Sequence, residues 1–508
     1  MVAVSVQAHD FRSRFAAYGL DTLFAAGAAS FWSVLVAGFT LGFFAWFGLV
    51  VPMHDLAFAE IGLPFGVLLG GAGALWAWSA YAHYFARRTG IKYDRALQYD
   101  AYTWLPFVLL WLSFALPLSI THGARLAAVL ALLFGLGKTA IAARFNQTVR
   151  DVSVDFALTR FAIIVIAELA AVIVGQRAGS HVQESRHLLL SVWGHWDAVH
   201  YIDVATIGYH GTDMAFFPLF PLLIKILGKI LGNHLIAGML ISNVAFFFGL
   251  LFLYKLVEHE FDRTVARRAM FYISIFPTAV FFSAVYTESL FFMLTVASFY
   301  YMRERRWVLA GIIGLLAATT RVEGILLMVP YAIEWYAVSR TDLRAGLKHA
   351  WPVALIPLGL FAYMGYLWVL NGDPLYFSHI QSHWNRHIAA PWTAVINSFH
   401  KIERATSPQT IANQVLELVF TALMVSVLAA GWRKLRPSYI AYMGLSILVP
   451  LSTSSLMSMP RFALVLFPMF ALLALWGRRP SVNNAILAFS LPLLGLFTVL
   501  FADWYWVA

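Results

Sequence analysis

Between Trp193 and Gly211 the chain reads WGHWDAVHYIDVATIGYHG, which sets Asp197 among two tryptophans and three histidines. A carboxylate beside aromatic rings can take a proton from a hydroxyl, as general base catalysis requires. Indole and phenol faces stack on sugar rings, whose C–H edges are apolar while their hydroxyls need polar partners. Further along, AVYTES carries Tyr286 and Glu288, and TTRVEG carries Arg321 and Glu323. A polar and aromatic segment holds His379, His383, Trp384 and Arg386, and SMPR holds Arg461. Arginines such as Arg321 or Arg461 can neutralise a phosphate leaving group bidentately.

Each of these residues has a plainer reading. Asp197 could cap a helix, since Asp is a favoured N-cap. His195 and His200 could bind a metal with Asp197, but no further His or acid follows at zinc-like spacing. Histidines hydrogen-bonded to backbone or water are the better reading, with His200 also a candidate ligand contact. Glu288 could cap a helix, Arg321 could snorkel with Glu323 as its ion-pair partner, and Asp203 and Asp213 read as solvated loop acids. In FFPLFPLL, Pro218 and Pro221 break the helix so that Phe216, Phe217 and Phe220 can face lipid tails, either as packing or as a guide for a prenyl chain.

The elements that must position these groups follow from composition. The 508 residues are 61% hydrophobic and only 12% charged, against roughly 45–50% and 25% in soluble domains. Continuous apolar runs such as FWSVLVAGFTLGFFAWFGLVV do not alternate as barrel strands would, so the class is all-α and polytopic in a membrane. Cysteine is absent, which excludes disulfides, thiol catalysis and cysteine-ligated clusters. The net charge of +10 comes from Lys and Arg gathered at helix ends, a topology signal and not a nucleic-acid footprint. The start, MVAVSVQAHDFRSRF, is not expected to be a cleavable signal.

Apolar spans fall near 27–52, 61–86, 101–118, 122–142 and 157–177. The basic loops between them place the N-terminus in the cytoplasm and Asp197 on the outer side. Reading 214–232 as a re-entrant or interfacial helix, with Lys225 and Lys229 snorkelling, keeps YYMRERRW, VSRTDLRAGLK, GWRKLR and WGRR cytoplasmic. It also gathers the candidate site residues on one outer face, and ionisable groups at such positions mark function. About fifteen spans result, taking ~20 residues per crossing. Residues 1–150 form a four-helix module of unassigned role. Residues 151–508 form the core, with a first outer loop at 178–235 and a second, a partly ordered loop or lid, at 371–410.

HWDAVHYIDVATIGY with AFFPLFPLLIKIL, IFPTAVFFSAVYTESLFFML, AATTRVEGILL and SHIQSHWNRH together resemble the segments of the PIG-V-type mannosyltransferase family, over about residues 155–480. The resemblance implies the GT-C glycosyltransferase fold and inverting transfer of mannose from dolichyl or polyprenyl phosphate mannose to a glycan, glycolipid or protein acceptor. It implies Asp197 as catalytic base. Trp196, His200, Tyr201, Tyr286, Glu288, Arg321, Glu323, His383, Trp384 and Arg461 would contact donor or sugar, with Gln381, Trp384 and Asn385 in the last motif. A divalent cation could share the neutralisation of the leaving group. Glu323 stands where Asn or Thr would be expected before Gly324. The competing expectations are a GT-C enzyme that uses another lipid-linked sugar, and a transporter or flippase of polyprenyl-linked sugar, which should instead show polar residues at mid-membrane in two related halves. A non-catalytic scaffold would have no need of an acid set among aromatics. The expected location is the cell membrane with the site facing out, or the endoplasmic reticulum membrane in a eukaryote.

Overall fold

Helices account for the secondary structure throughout the described residues, apart from one antiparallel bridge between Ile388 and Thr453. The computed structural model describes residues 146–174, 188–342, 346–384 and 386–507. The four N-terminal spans, residues 178–187 of the first loop and Asn385 lie outside them. The chain divides into two compact units, one of residues 1–151 with 230–232 and one of 152–229 with 233–508. The site lies in the second.

Among the described residues five helical segments are long and apolar enough to cross a membrane. They are α1 (Gln147–Ile173), α4 (His234–Glu260), Trp351–Asn371 with its regular part α9 (Leu355–Asn371), α11 (Pro408–Gly431) and α14 (Pro480–Ala502). A sixth arises if Met459–Val465 and α13 (Phe467–Trp476), bent by 81° at their junction, form one broken span. Between them run α2 (Asp197–Thr206), α3 (Leu219–Leu231), α5 (Arg263–Ser274), α6 (Glu288–Arg303), α7 (Trp307–Ala318), α8 (Met328–Ser339), α10 (Thr393–Glu403) and α12 (Pro437–Leu451). The protein is an all-α polytopic membrane protein. Such helices satisfy their own backbone, the one open-chain solution in lipid.

The central packing uses small residues where helices close up. A Cβ on Gly249 of α4 would fall 2.6 Å from the Phe292 ring of α6, and one on Gly359 of α9 would fall 2.3 Å from the Leu315 carbonyl oxygen of α7. Close backbone approach of this kind replaces the hydrophobic drive that is missing between helices in lipid.

Residues 275–287 leave α-helical geometry between α5 and α6, keeping only a short 3-10 turn at Ala279–Phe282, and a buried cation holds them. Arg160 of α1, 3% exposed, donates to the Ser274 and Ala279 carbonyls at 2.8 and 2.9 Å and to the Ser283 hydroxyl at 3.2 Å. Thr278 Oγ1 donates to the Pro460 carbonyl at 2.9 Å, and the Val285 amide donates to the Trp193 carbonyl at 3.0 Å. This stretch therefore joins the Asp197 loop to the Arg461 segment.

At the far ends of α4 and α6 a second set of charges closes the bundle. Glu334, 2% exposed, receives Arg436 at 3.0 and 3.2 Å and Ser438 at 2.5 Å, while Arg303 bonds Glu260 and reaches Glu334 at 3.5 Å. Arg478 pairs with Asp262, the N-cap of α5. Arginines from YYMRERRW, GWRKLR and WGRR thus gather at the end away from Asp197. The 16 residues of α6 between them and Glu288 correspond to about 24 Å.

Helix α3, 13 residues long, extends about 20 Å, short of the ~30 Å hydrocarbon layer. The expectation that Phe217 and Phe220 face lipid is corrected: they are 5% and 0% exposed. Phe220 packs edge-on to Tyr201, and Phe217 lies against Tyr363 and Phe377. The two prolines sit at the start of α3, where no intrahelical donor is needed, so they begin the helix and do not break it. Leu222 and Ile226, 51% and 53% exposed, form its outward apolar face instead.

Candidate active site

Asp197 is the first residue of α2, and its side chain does not cap the helix. Oδ2 instead receives Arg461 at 2.6 Å, and Oδ1 has no hydrogen-bond partner among the described residues. The loop in front is locked from beneath. The Tyr286 hydroxyl, wholly buried, donates to the His195 carbonyl at 3.1 Å and accepts the Asp197 amide at 3.2 Å. Burial first, and the charge of Asp197 next, push the Tyr286 phenol well above its usual range, so it acts as a neutral donor. His195, fully buried, donates from Nδ1 to the Phe501 carbonyl at 3.0 Å. Burial lowers its pKa to about 4, which keeps it neutral. Trp193 Nε1 donates to Glu168 of α1 at 3.1 Å.

From Asp197 the charges alternate in sign. Arg461 Nε lies 3.0 Å from Glu288 Oε1, Arg321 donates to the same oxygen at 2.8 Å, and Arg321 Nε reaches Glu323 at 3.5 Å. Side-chain exposure falls from 22% at Asp197 to 14% at Glu323 and 1% at Glu288. Asp197 is therefore the carboxylate most open to a substrate, and Glu288 is an internal counter-ion for two arginines. Alternation is what permits so many buried charges, since each is expensive without an opposite neighbour.

Backbone strain gathers at the same place. Of the four non-glycine residues with positive φ among those described, Trp196 (60°), Ser458 (76°) and Trp504 (65°) all lie here. Trp196 directly precedes Asp197, and Ser458 stands three residues before Arg461. The Trp504 ring is 4.0 Å from His195 and 5.5 Å from Trp196. Such conformations persist only where packing over-determines them, and they concentrate at functional sites.

The remaining candidates are distributed around this core. Tyr201 is buried and shares a hydrogen bond with Thr287 at 3.2 Å. His200 binds Asp213 at 2.7 Å, stacks on Phe216 and meets the edge of Trp384 at 6.3 Å. Asp213 is thus 8% exposed and paired, a correction to its reading as a solvated loop acid. His383 is exposed and touches the site only through the Trp384 ring, 5.2 Å away. Among the described residues no three His, Asp or Glu side chains converge as a metal site would need.

Two groups escaped the sequence reading. Trp504 and Trp506, after α14, complete the aromatic wall: Trp506 lies 5.4 Å from Trp196, and Arg461 sits 5.8 Å from its ring. DWYW at the end of an apolar run is the same acid-and-aromatic pattern as GHWD and could have signalled it. Arg386 carries no local pattern that separates it from the rest of its segment. It rests over the Phe462 ring at 6.0 Å, the ring that Arg321 also faces at 5.3 Å.

Gly324 explains why Arg321 stands where it does. A Cβ there would lie 2.3 Å from backbone atoms of Ala317 and Ala318 at the end of α7. Gly324→Ala is expected to destabilise the protein by about 1–3 kcal/mol, as overpacking does, and to displace Arg321 from Glu288. A thermal midpoint equal to wild type would show that the contact is slack.

The His200–Asp213 pair makes a pH prediction. Burial alone would lower the His200 pKa, but the Asp213 hydrogen bond and the charge of Asp197 outweigh it and raise the pKa above its usual value. A raised histidine pKa stabilises the fold fully below about 6.5, the unfolded value, and that stabilisation fades as pH rises through the folded value. The gap in thermal midpoint between wild type and Asp213→Asn should accordingly be widest in mild acid and narrow at alkaline pH. A gap independent of pH would remove the charged pair.

Comparison with known proteins now adds to this geometry. Residues 156–337 match the family described as mannosyltransferase (PIG-V). Two curated relatives, each named GPI mannosyltransferase 2, come from strains JEC21 and B-3501A of Cryptococcus neoformans var. neoformans serotype D. Each is 34% identical over 143 residues, 26% of this chain, and the chain spans about a third of their length, 34% of each. Asp197, Tyr286, Glu288, Arg321 and Glu323 fall inside the matched family segment. Arg386, Arg461 and the 503–507 stretch fall beyond it.

Proposed function

We propose that the Asp197 cluster is the centre of an inverting mannosyltransferase that draws its sugar from polyprenyl (dolichyl-type) phosphate mannose at the outer face of the cell membrane. The observation that carries this reading is Asp197 itself. One of its oxygens is held by Arg461 at 2.6 Å and the other is open, at the most exposed point of an otherwise buried charge network, inside the segment similar to mannosyltransferases.

The step is a single in-line displacement. The acceptor hydroxyl approaches the sugar C1 from the side of Asp197, whose free Oδ1 takes the proton. The acceptor oxygen bonds C1 as the C1–O bond to phosphate breaks, and polyprenyl phosphate leaves with that electron pair. Arg461, held between Asp197 and Glu288, keeps Asp197 pointed at the acceptor, and the cationic side of the network favours the charge that grows on the phosphate. The indoles of Trp196, Trp504 and Trp506 offer flat faces to sugar. Tyr286, at 0% exposure, acts beneath the site as a positioning residue.

The test is transfer of label from radiolabelled polyprenyl phosphate mannose to acceptors in membranes that contain the chain, against membranes that lack it. Label in product with the opposite anomeric configuration is the expected result. Retained configuration, or transfer from other sugar donors and not from this one, would overturn the proposal.

A further inference from the structure

The three arginines of this region, Arg461 on Asp197 and Arg321 and Arg386 over the Phe462 ring, are not equivalent. Arg461 is shared between Asp197 and Glu288, and Arg321 between Glu288 and Glu323. A phosphate drawn to either would meet the carboxylates already there. Among the described residues Arg386 has no carboxylate within ion-pair distance. Its protein contacts are the Met457 carbonyl, which accepts from Nη2, and the Phe462 ring, while its Nε is buried without a partner. Burial first, and the like charge of Arg461 next, pull its pKa down to about 10, with Asp197, Glu417 and Glu323 acting on it only from longer range. It remains a cation at neutral pH, desolvated and without a carboxylate in direct contact among the described residues.

Its position is also fixed. The Arg386 amide donates to the Gln381 carbonyl at 3.2 Å. The next residues are stitched to the stretch that leads to Arg461: His387 and Ser454 exchange bonds at 2.9 and 3.0 Å, Ala389 donates to Ser452 at 3.0 Å, and Asn397 donates to Ser454 at 2.9 Å. Met457 and Phe462, its two contacts, flank Ser458 and Arg461 on the same stretch. A buried guanidinium fixed on the stretch that leads to Arg461, with no carboxylate partner among the described residues, is a receptor for an anion, since its planar fork matches phosphate oxygens.

We propose that Arg386 is the phosphate-binding arm of the site, taking the phosphate of the lipid-linked sugar donor while Arg321 and Arg461 serve as internal counter-ions. The proposal rests on the mannosyltransferase reading above. The phosphate carries about one negative charge while it links sugar to lipid, and about two once it has left. An unpaired cation therefore gains most as the bond breaks, which makes this contact stronger in the transition state than in the bound donor.

The experiment uses the full chain in nanodiscs and measures binding of polyprenyl phosphate without sugar, and of the corresponding polyprenol without phosphate. Wild type, Arg386→Ala and Arg386→Lys are compared, with thermal midpoints as the check on folding. Arg386→Ala should weaken polyprenyl phosphate binding about 10- to 100-fold, the worth of a charge-assisted hydrogen bond, and leave polyprenol binding and the midpoint unchanged. Arg386→Lys should recover part of the loss, since it keeps the charge without the fork. Equal phosphate binding by wild type and Arg386→Ala would sink the role of Arg386 and leave the transferase reading standing. Equal weakening toward both lipids, or a fallen midpoint in Arg386→Lys as well, would make Arg386 structural. Wild type that prefers the phosphate no more than the alcohol would remove the donor reading and this proposal together.

Discussion

Asp197→Asn is expected to lose sugar transfer by about a hundred- to ten-thousand-fold, the range that one positioned general base supplies. The amide keeps the size of the side chain, and its oxygen can still accept from Arg461, but it cannot take the acceptor proton. Donor binding and thermal midpoint should change little, because the partly exposed end of the network is the one altered. Membranes with equal amounts of each protein and labelled polyprenyl phosphate mannose make the comparison. Equal transfer by both would move the base to Glu323, the next most exposed acid. Glu288 is excluded from that role by its 1% exposure and by the two arginines on its Oε1.

Glu288→Gln should have the largest effect on stability. It removes the one carboxylate that faces both Arg321 and Arg461 and leaves two buried guanidinium groups without their shared counter-ion. Breaking a buried ion pair from one side costs about 3–5 kcal/mol, and here two cations each lose one of their two carboxylates at once. The thermal midpoint of purified protein should fall accordingly, and transfer should be lost because Arg461 no longer holds Asp197. Removing one of these charges as well, in Glu288→Gln with Arg321→Gln, should recover much of the midpoint and none of the activity. Non-additivity of that kind is the signature of direct coupling. An unfolding free energy for Glu288→Gln within about 0.5 kcal/mol of wild type, the range of an ordinary surface change, would mean that water solvates the cluster.

How far the site was legible varies by residue. The tryptophan–aspartate pair, AVYTES and TTRVEG stand out because each puts an acid or an arginine at the margin of an apolar run, where a local pattern reports chemistry directly. Trp504 and Trp506 carry the same pattern but went unread. Asp213 looked solvated because a loop acid in a polar stretch normally is. Its burial depends on His200 of α2 closing over it, a contact that neither segment announces alone.

Composition determined that the protein is helical and membrane-spanning, because a chain this apolar must satisfy its backbone within each segment. Charge distribution divided the segments into two groups. Arg303, Arg436 and Arg478 do meet at one end of the helices, and Asp197, Glu288, Arg321 and Arg461 at the other. Only the tertiary structure decided who pairs with whom. Asp197 and Arg461 stand 264 residues apart, and Arg461 reaches the site through an 81° bend that no periodicity encodes. The same holds for the Tyr286 hydroxyl beneath the Asp197 loop and for Arg386, left without a carboxylate partner among the described residues. Charge and hydropathy are properties of single segments, whereas an ion pair, or the lack of one, depends on several helices closing around the same few ångströms.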